Sequence, residues 1–123
     1  MKILLADDEP DILRIYSEML EGNAHKVAVA HDGMEAMDLI RREEFDLVVL
    51  DLFMPNMDGF ETLATLRGEG NQVPVVVMTG HYPDDEVEER TEGLGVEAVL
   101  RKPVLITTLM NAVNRITSKN KDT

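Results

Sequence analysis

Residues 48–59 have the sequence Val48-Val49-Leu50-Asp51-Leu52-Phe53-Met54-Pro55-Asn56-Met57-Asp58-Gly59. The apolar, β-branched run ends abruptly at an acid, and a proline and a glycine follow, which is typical of a buried strand that leads into a loop. Such a strand holds Asp51 at its exit. Aspartate is also a common turn residue, so this acid alone supports a turn or cap as well as a functional carboxylate.

Composition limits the kinds of protein that this chain can be. Its 123 residues suffice for one domain with a single core, and without cysteine it has no disulfide, thiolate nucleophile or cysteine-ligated metal. A formal net charge of −12 disfavours direct contact with nucleic acid or an anionic membrane. After Lys2 only Ile3-Leu4-Leu5-Ala6 are apolar before the acids at 7–9, too few for a signal peptide or a membrane span. We therefore expect a cytoplasmic protein with no membrane insertion.

Short apolar runs alternate with segments of helical spacing along the whole chain. The runs predict strands over Lys2–Ala6, Lys26–Ala30, Leu47–Asp51, Val73–Met78 and Val96–Leu100. The intervening segments predict helices whose inward faces are formed by Ile12, Tyr16, Met19 and Leu20, by Ala36, Leu39 and Ile40, by Phe60, Leu63 and Leu66, and by Leu105, Leu109, Ala112, Val113 and Ile116. Alternating strands and helices with short links predict five βα units with right-handed crossovers, an α/β fold.

The segment 82–92 differs from the other helical segments because it holds six acids against one arginine. Only Val87 and Leu94 can anchor a helix here, so we expect the loosest element, with a solvated acidic face. The polar residues from Ser118 onward are expected to fray, and 119–123 are interpreted as a C-terminal tail that follows a domain over 1–118.

Residues at the carboxyl ends of parallel strands gather along one edge of the sheet. Asp7 and Asp8 follow the first strand, Asp51 ends the third, Thr79 the fourth, and Lys102 follows the fifth. Three carboxylates brought together favour a bound cation, and hard oxygen ligands suit Mg²⁺ better than Zn²⁺. A carboxylate beside Mg²⁺, an ammonium and a hydroxyl is equipped to attack phosphorus. In isolation, Thr79 is a capping hydroxyl and Lys102 an exposed lysine, so the interpretation depends on the ordered set.

That ordered set resembles the receiver domain of bacterial two-component response regulators, the family of the chemotaxis protein CheY. The resemblance rests on Asp7-Asp8, on Leu50-Asp51 with Met54-Pro55 and Met57-Asp58-Gly59, on Thr79-Gly80 and on Lys102-Pro103. It implies a doubly wound, five-stranded parallel sheet with strand order 2-1-3-4-5 and five helices, a flavodoxin-like, CheY-like fold.

The resemblance also implies a role for each residue of the set. Asp51 is similar to the phosphoacceptor, which receives a phosphoryl group from a sensor histidine kinase or a histidine phosphotransfer protein. Asp8 would bind Mg²⁺ directly, Asp7 largely through water, and Phe53 through its backbone carbonyl. Lys102 would pair with Asp51 and then with the phosphoryl group, and its peptide bond to Pro103 would be cis. Thr79 would be the hydroxyl that moves to bond a phosphoryl oxygen.

One residue departs from the family pattern, and two others occupy variable positions beside the phosphoryl site. Val99 stands where the family often has Tyr or Phe. Phe53 and His81 occupy positions beside the phosphoryl group, where side chains influence the approach of water. His81 has no second histidine or cysteine nearby, so an ordinary loop histidine is the simpler interpretation than a metal ligand or catalyst.

The resemblance implies a signalling switch that catalyses only its own phosphorylation and dephosphorylation, with a downstream protein partner at the face formed by the fourth helix, fifth strand and fifth helix. A phosphatase of the haloacid-dehalogenase type would need an aspartate at position 53, and a flavin binder would need a glycine-rich loop after Ala6. A phosphorylation-independent interaction module on the same fold is the remaining alternative. The chain ends soon after the fifth helix, so we expect no attached output domain, and either a stand-alone regulator or an isolated receiver from a larger protein. We expect either a monomer or a phosphorylation-promoted dimer.

Overall fold

The computed structural model describes residues 1–121, with side chains described through Lys119. Ten elements alternate along the chain: β1 (Lys2–Ala6), α1 (Pro10–Gly22), β2 (Lys26–Ala30), α2 (Gly33–Arg42), β3 (Leu47–Asp51), α3 (Gly59–Gly68), β4 (Val75–Thr79), α4 (Asp84–Arg90), β5 (Val96–Arg101) and α5 (Ile106–Lys121). The five strands form one parallel sheet in the order β2-β1-β3-β4-β5. This architecture confirms the predicted fold class and strand order.

Strand β3 lies at the centre of the sheet because its side chains are apolar toward both faces. Val48 and Leu50 belong to the core under α2, α3 and α4, whereas Leu47 and Val49 belong to the core under α1 and α5. All five residues of the strand are buried, including Asp51 at its end. The hydrophobic run thus places one carboxylate at the edge of a sheet that is covered on both sides.

The predicted inward faces of the helices are correct for most residues and wrong for a few. In α1 the buried face consists of Leu13, Tyr16 and Leu20, whereas Met19 is 42% exposed, because it lies roughly 90° around the helix axis from the centre of that face. In α2, Met37 is more deeply buried than Leu39, which is partly buried against the same core. Leu105 is 68% exposed because it precedes α5 and lies in the loop, where helical spacing does not apply.

The end of the chain is more helical than we predicted. Helix α5 continues through Ser118 to Lys121, so most of the expected tail is helical, and residues 122 and 123 lie outside the described residues. The domain boundary at 118 stays a prediction. Within the described part of the chain, no helix has both the length and the apolar character needed to cross a bilayer.

Helix α4 has more anchors than the sequence indicated. Besides Val87, which is buried, and Leu94, which is partly buried, the ring of Tyr82 packs edge-on against Phe60 with centroids 5.0 Å apart. The Arg90 guanidinium lies 3.7 Å from the centroid of the Phe60 ring. The expectation that only Val87 and Leu94 hold this helix was therefore wrong.

One arginine fixes the segment that connects α4 to β5. Arg67, at the end of α3, donates hydrogen bonds to four backbone carbonyls, those of Leu94 at 2.7 Å, Val73 at 2.7 Å, Asn71 at 3.0 Å and Gly95 at 3.1 Å. Its side chain thus joins the end of α3 to the loop before β4 and to the loop before β5.

Candidate functional site

The residues predicted to meet at one edge of the sheet do meet there. Asp51 is the last residue of β3, Asp7 follows β1, Thr79 ends β4 and Lys102 follows β5. Backbone hydrogen bonds fix these exits: the Lys102 amide donates to the Thr79 carbonyl at 2.8 Å, and the Asp7 amide donates to the Ala30 carbonyl at 3.1 Å. Each functional side chain thus projects from a strand end that the sheet itself holds in place.

The Lys102 ammonium lies at the centre of the site. Its Nζ is 2.8 Å from Asp7 Oδ2, 3.0 Å from Asp51 Oδ2 and 3.3 Å from Glu9 Oε1. Asp7 and Asp51 are almost fully buried, so water screens their contacts with Lys102 only weakly, whereas Glu9 is exposed. The peptide bond between Lys102 and Pro103 is cis, as the resemblance implied.

The acids at this edge form a group that can hold a metal ion. Carboxylate oxygens of Asp7, Asp8 and Asp51 all lie within 4.8 Å of one another, and Asp8 is the most exposed of the three. Three carboxylates around a single ammonium leave a net negative charge, and their ligand atoms are all oxygen. This donor set fits a hard divalent cation such as Mg²⁺.

The electrostatics of the site follow from its burial. Burial, followed by the charge of Asp7, raises the pKa of Asp51 to about 6, although the hydrogen bond from Lys102 opposes the shift. Burial likewise raises the pKa of Asp7. Burial alone would lower the pKa of Lys102, but its hydrogen bonds to Asp7 and Asp51 outweigh that effect and raise it. Near neutral pH, Asp51 is therefore mostly ionised and Lys102 fully charged.

The second oxygen of the Asp51 carboxylate is also held. The backbone amide of Phe53 donates to Asp51 Oδ1 at 3.2 Å, which places the Phe53 backbone beside the acid. The Phe53 side chain points outward, is 47% exposed, and stacks on the His81 ring with centroids 4.0 Å apart and planes inclined by 13°. The sequence did not predict this pair of rings, which joins the loop after β3 to the loop after β4.

Thr79 has a hydroxyl with no partner in this structure. The residue is fully buried, and its Oγ1 makes no hydrogen bond with any of the described residues. Buried polar atoms are nearly always paired, so an unpaired hydroxyl at this edge fits a group that acquires its partner only when a ligand or a modification is present.

The loop after β3 leaves no space for a larger residue at its end. A Cβ at Gly59 would lie 2.4 Å from the Asp51 carbonyl oxygen and 2.6 Å from Leu52 Cα. The Gly59 amide donates to the Leu52 carbonyl at 3.1 Å, closing the loop directly behind the acid. The glycine is required by this close approach, because any side chain would displace the backbone that carries Asp51.

Sequence reasoning missed one acid of the site. Glu9 reaches Lys102 at 3.3 Å, yet Asp7 and Asp8 are the only acids of this strand end that the sequence predicts to belong to the site. The available signal was its position, because it follows Asp7 and Asp8 at the same strand end.

Comparisons with known proteins identify the family of this chain. The family model for the response regulator receiver domain matches residues 3–114. The chain is 35% identical over 98% of its length to the response regulator MprA of Mycobacterium tuberculosis and 33% identical over 98% to MprA of Mycobacterium leprae. It covers 52% and 53% of those proteins, so the chain spans about half the length of the curated relatives that it matches.

Solved structures give the same result. The receiver domain of the Francisella response regulator 1452 superposes with a TM-score of 0.89 at 31% identity, covering 97% of this chain and 98% of that one. The chemotaxis protein CheY4 of Vibrio cholerae superposes with a TM-score of 0.85 at 27% identity, covering 94% and 97%.

Proposed function

The chain belongs to the response regulator receiver domain family of two-component systems, and we propose that it is a switch that accepts a phosphoryl group on Asp51. The observation that carries the proposal is the contact of a buried carboxylate at a strand exit with Lys102, at 3.0 Å, inside a group of acids that fits a divalent cation. The proposed donor is a sensor histidine kinase or a histidine phosphotransfer protein.

In the proposed reaction an ionised oxygen of Asp51 attacks the phosphorus of a phosphohistidine. A new O–P bond forms, the P–N bond breaks, and its electron pair stays on the histidine nitrogen, so Asp51 becomes an aspartyl phosphate. Lys102 holds positive charge next to the transferring oxygens, because its ammonium already contacts the attacking carboxylate. With a pKa of about 6, Asp51 has its nucleophilic form available at neutral pH.

Mg²⁺ is the proposed metal, held by Asp8, Asp51 and the backbone carbonyl of Phe53, with Asp7 acting largely through water. When bound, it supplies the positive charge that three carboxylates and one lysine lack. The unpaired hydroxyl of Thr79 is the proposed hydrogen-bond donor to a phosphoryl oxygen, and its movement would carry the start of the loop toward α4.

A cytoplasmic location and a downstream protein partner complete the proposal. We assign the partner to the face formed by α4, β5 and α5, because α4 directly follows the loop after Thr79. Phosphorylation would then change partner binding at this face.

The test is intact mass after incubation with Mg²⁺ and acetyl phosphate. We expect one added phosphoryl group, lost in Asp51→Asn and in the presence of EDTA, and retained in the matched control Asp38→Asn, which changes an exposed acid on α2. No addition to the folded protein with acetyl phosphate or with a phosphorylated histidine donor would refute the proposal and favour a phosphorylation-independent interaction module.

A further inference from the structure

A wide groove separates α4 from β5. Its volume is about 940 Å³, much larger than the gap that a single water or methyl group would fill, and it opens to solvent. The groove lies beside the loop that follows Thr79 and does not include any residue of the acid group around Asp51. It is therefore separate from the phosphoacceptor site.

The floor of the groove is apolar because of an irregularity in β5. Val75 of β4 pairs with Val96 and Val76 pairs with Ala98, so Glu97 is an extra residue that shifts the side-chain alternation. As a result Val96, Val99 and Arg101 all line the groove, whereas Ala98 and Leu100 pack on the opposite core. Val99, one of the residues that line the groove, is 42% exposed, so its apolar side chain is open to solvent there.

The wall opposite this floor is strongly acidic. Five carboxylates of α4 and the segment after it line the groove: Asp84, Asp85, Glu88, Glu89 and Glu92. Arg101 is the only cationic residue among those that line it, and its guanidinium already donates to the Tyr82 carbonyl at 2.6 Å and lies 3.3 Å from Asp84. The groove therefore presents an excess of negative charge around an exposed valine.

We propose that this groove docks a cationic protein segment, with lysines or arginines along the α4 wall and one bulky apolar side chain seated over Val99. This inference identifies the chemistry of the downstream partner. It rests on the proposed switch only for the claim that phosphorylation regulates the binding of that partner. The carboxylates favour a partner with positive charge. An apolar side chain of the partner would cover Val99 and remove its exposed surface from water.

A second copy of the chain fits this surface poorly. Two copies joined through it would bring two acidic walls together, on molecules that each carry a formal charge of −12. The exposed cation Lys119 on α5 is already paired with Glu97 at 3.2 Å. Charge thus favours a basic partner over self-association.

The test measures the affinity of a fluorescent synthetic helical peptide, with lysines and one phenylalanine on the same face, for the unphosphorylated chain. Val99→Tyr should weaken binding at least about tenfold, because the new ring occupies the floor. Replacing Glu88 and Glu89 together by glutamine should weaken it about fivefold at low salt. The matched control replaces Glu18 and Glu21 on α1 by glutamine and should change affinity less than about twofold. Circular dichroism checks that each variant is folded.

The outcomes separate this inference from the proposed function. Groove-specific binding by the unphosphorylated chain, including Asp51→Asn, supports the groove even if the mass experiment fails. Equal losses of peptide affinity in the groove and control variants would overturn the inference, as would tight peptide binding by folded Val99→Tyr. Equal affinity for a peptide with alanine in place of phenylalanine would also overturn it. A dimer in sedimentation equilibrium that Val99→Tyr dissociates would assign the groove to a second copy instead.

Discussion

Replacing Asp51 by asparagine should stabilise the metal-free protein at neutral pH. Burial and the charge of Asp7 raise the pKa of Asp51 from 3.8 to about 6, so the folded state binds this proton more tightly than the unfolded chain does. Between these two pH values, the folded state holds more protons, and the free energy of unfolding decreases as the pH rises. Above pH 6 the ionised carboxylate therefore destabilises the fold, whereas below 3.8 it has no such effect.

The size of the effect follows from the two pKa values. A gap of about 2 pH units corresponds to about 3 kcal/mol. The protonation of Asp51 is coupled to that of Asp7 and Lys102, which lie in contact with one another. We therefore expect Asp51→Asn to raise the free energy of unfolding by about 1–3 kcal/mol. Asparagine has nearly the same shape and can still accept from Lys102, so the substitution mainly removes the charge.

The assay is urea denaturation in EDTA, repeated from pH 4 to pH 8. The stability gain of Asp51→Asn should be small at pH 4, grow through pH 5 and reach a plateau above pH 6. Added Mg²⁺ should stabilise the natural sequence more than the variant, because the variant lacks one carboxylate ligand.

The matched control is Asp32→Asn, because the pKa of Asp32 is shifted in the opposite direction. A hydrogen bond from the backbone amide of Glu35, followed by one from the side-chain amide of Asn56, lowers this pKa. The ionised carboxylate of Asp32 stabilises the folded state at pH values above the ordinary pKa of aspartate. Asp32→Asn should therefore lower the free energy of unfolding at pH 7. A gain for Asp51→Asn that does not depend on pH, or a loss at pH 7.5, would refute the electrostatic argument.

Three other substitutions test separate parts of the structure. Phe53→Asn should change the lifetime of the aspartyl phosphate more than the yield of phosphorylation, measured by the decay of intact mass; equal lifetimes would mean that the ring only packs. Gly59→Ala should abolish phosphorylation or folding, because its Cβ would overlap the backbone that carries the acid, whereas Gly68→Ala, with no atom within 4 Å, should stabilise the protein by about 0.5–1 kcal/mol. Arg67→Met should lower the free energy of unfolding by about 2–4 kcal/mol because four carbonyls lose their donor, whereas the surface variant Arg41→Met should lower it far less in the same urea titration.

The fold was predictable because its central strands carry a simple signal. Each residue of Leu47–Leu50 must be apolar when helices cover both faces of the sheet, and a parallel sheet then brings its strand ends to one edge. The positions of Asp7, Asp51, Thr79 and Lys102 at that edge followed from topology alone. Their roles remain proposals, since position does not establish chemistry.

Details that depend on tertiary contacts were not predictable. The sequence does not show that Arg67 binds four carbonyls, because its partners are brought together only by the folded chain. The same is true of Arg90, which lies on Phe60 although 30 positions separate them in the sequence. The prediction of the buried helix faces was also wrong at single residues. Leu13 and Met19 are both apolar, and only packing decides which of them is buried.

The unpaired hydroxyl of Thr79 gives this conformation an energetic disadvantage. A buried polar group without a partner costs about 1–3 kcal/mol, and a state in which this hydroxyl found an acceptor would be free of that cost. Such a difference alters a two-state equilibrium by about 5- to 150-fold. One side chain at the end of β4 is thus sufficient to bias the population of two conformations, with the rest of the sheet unchanged.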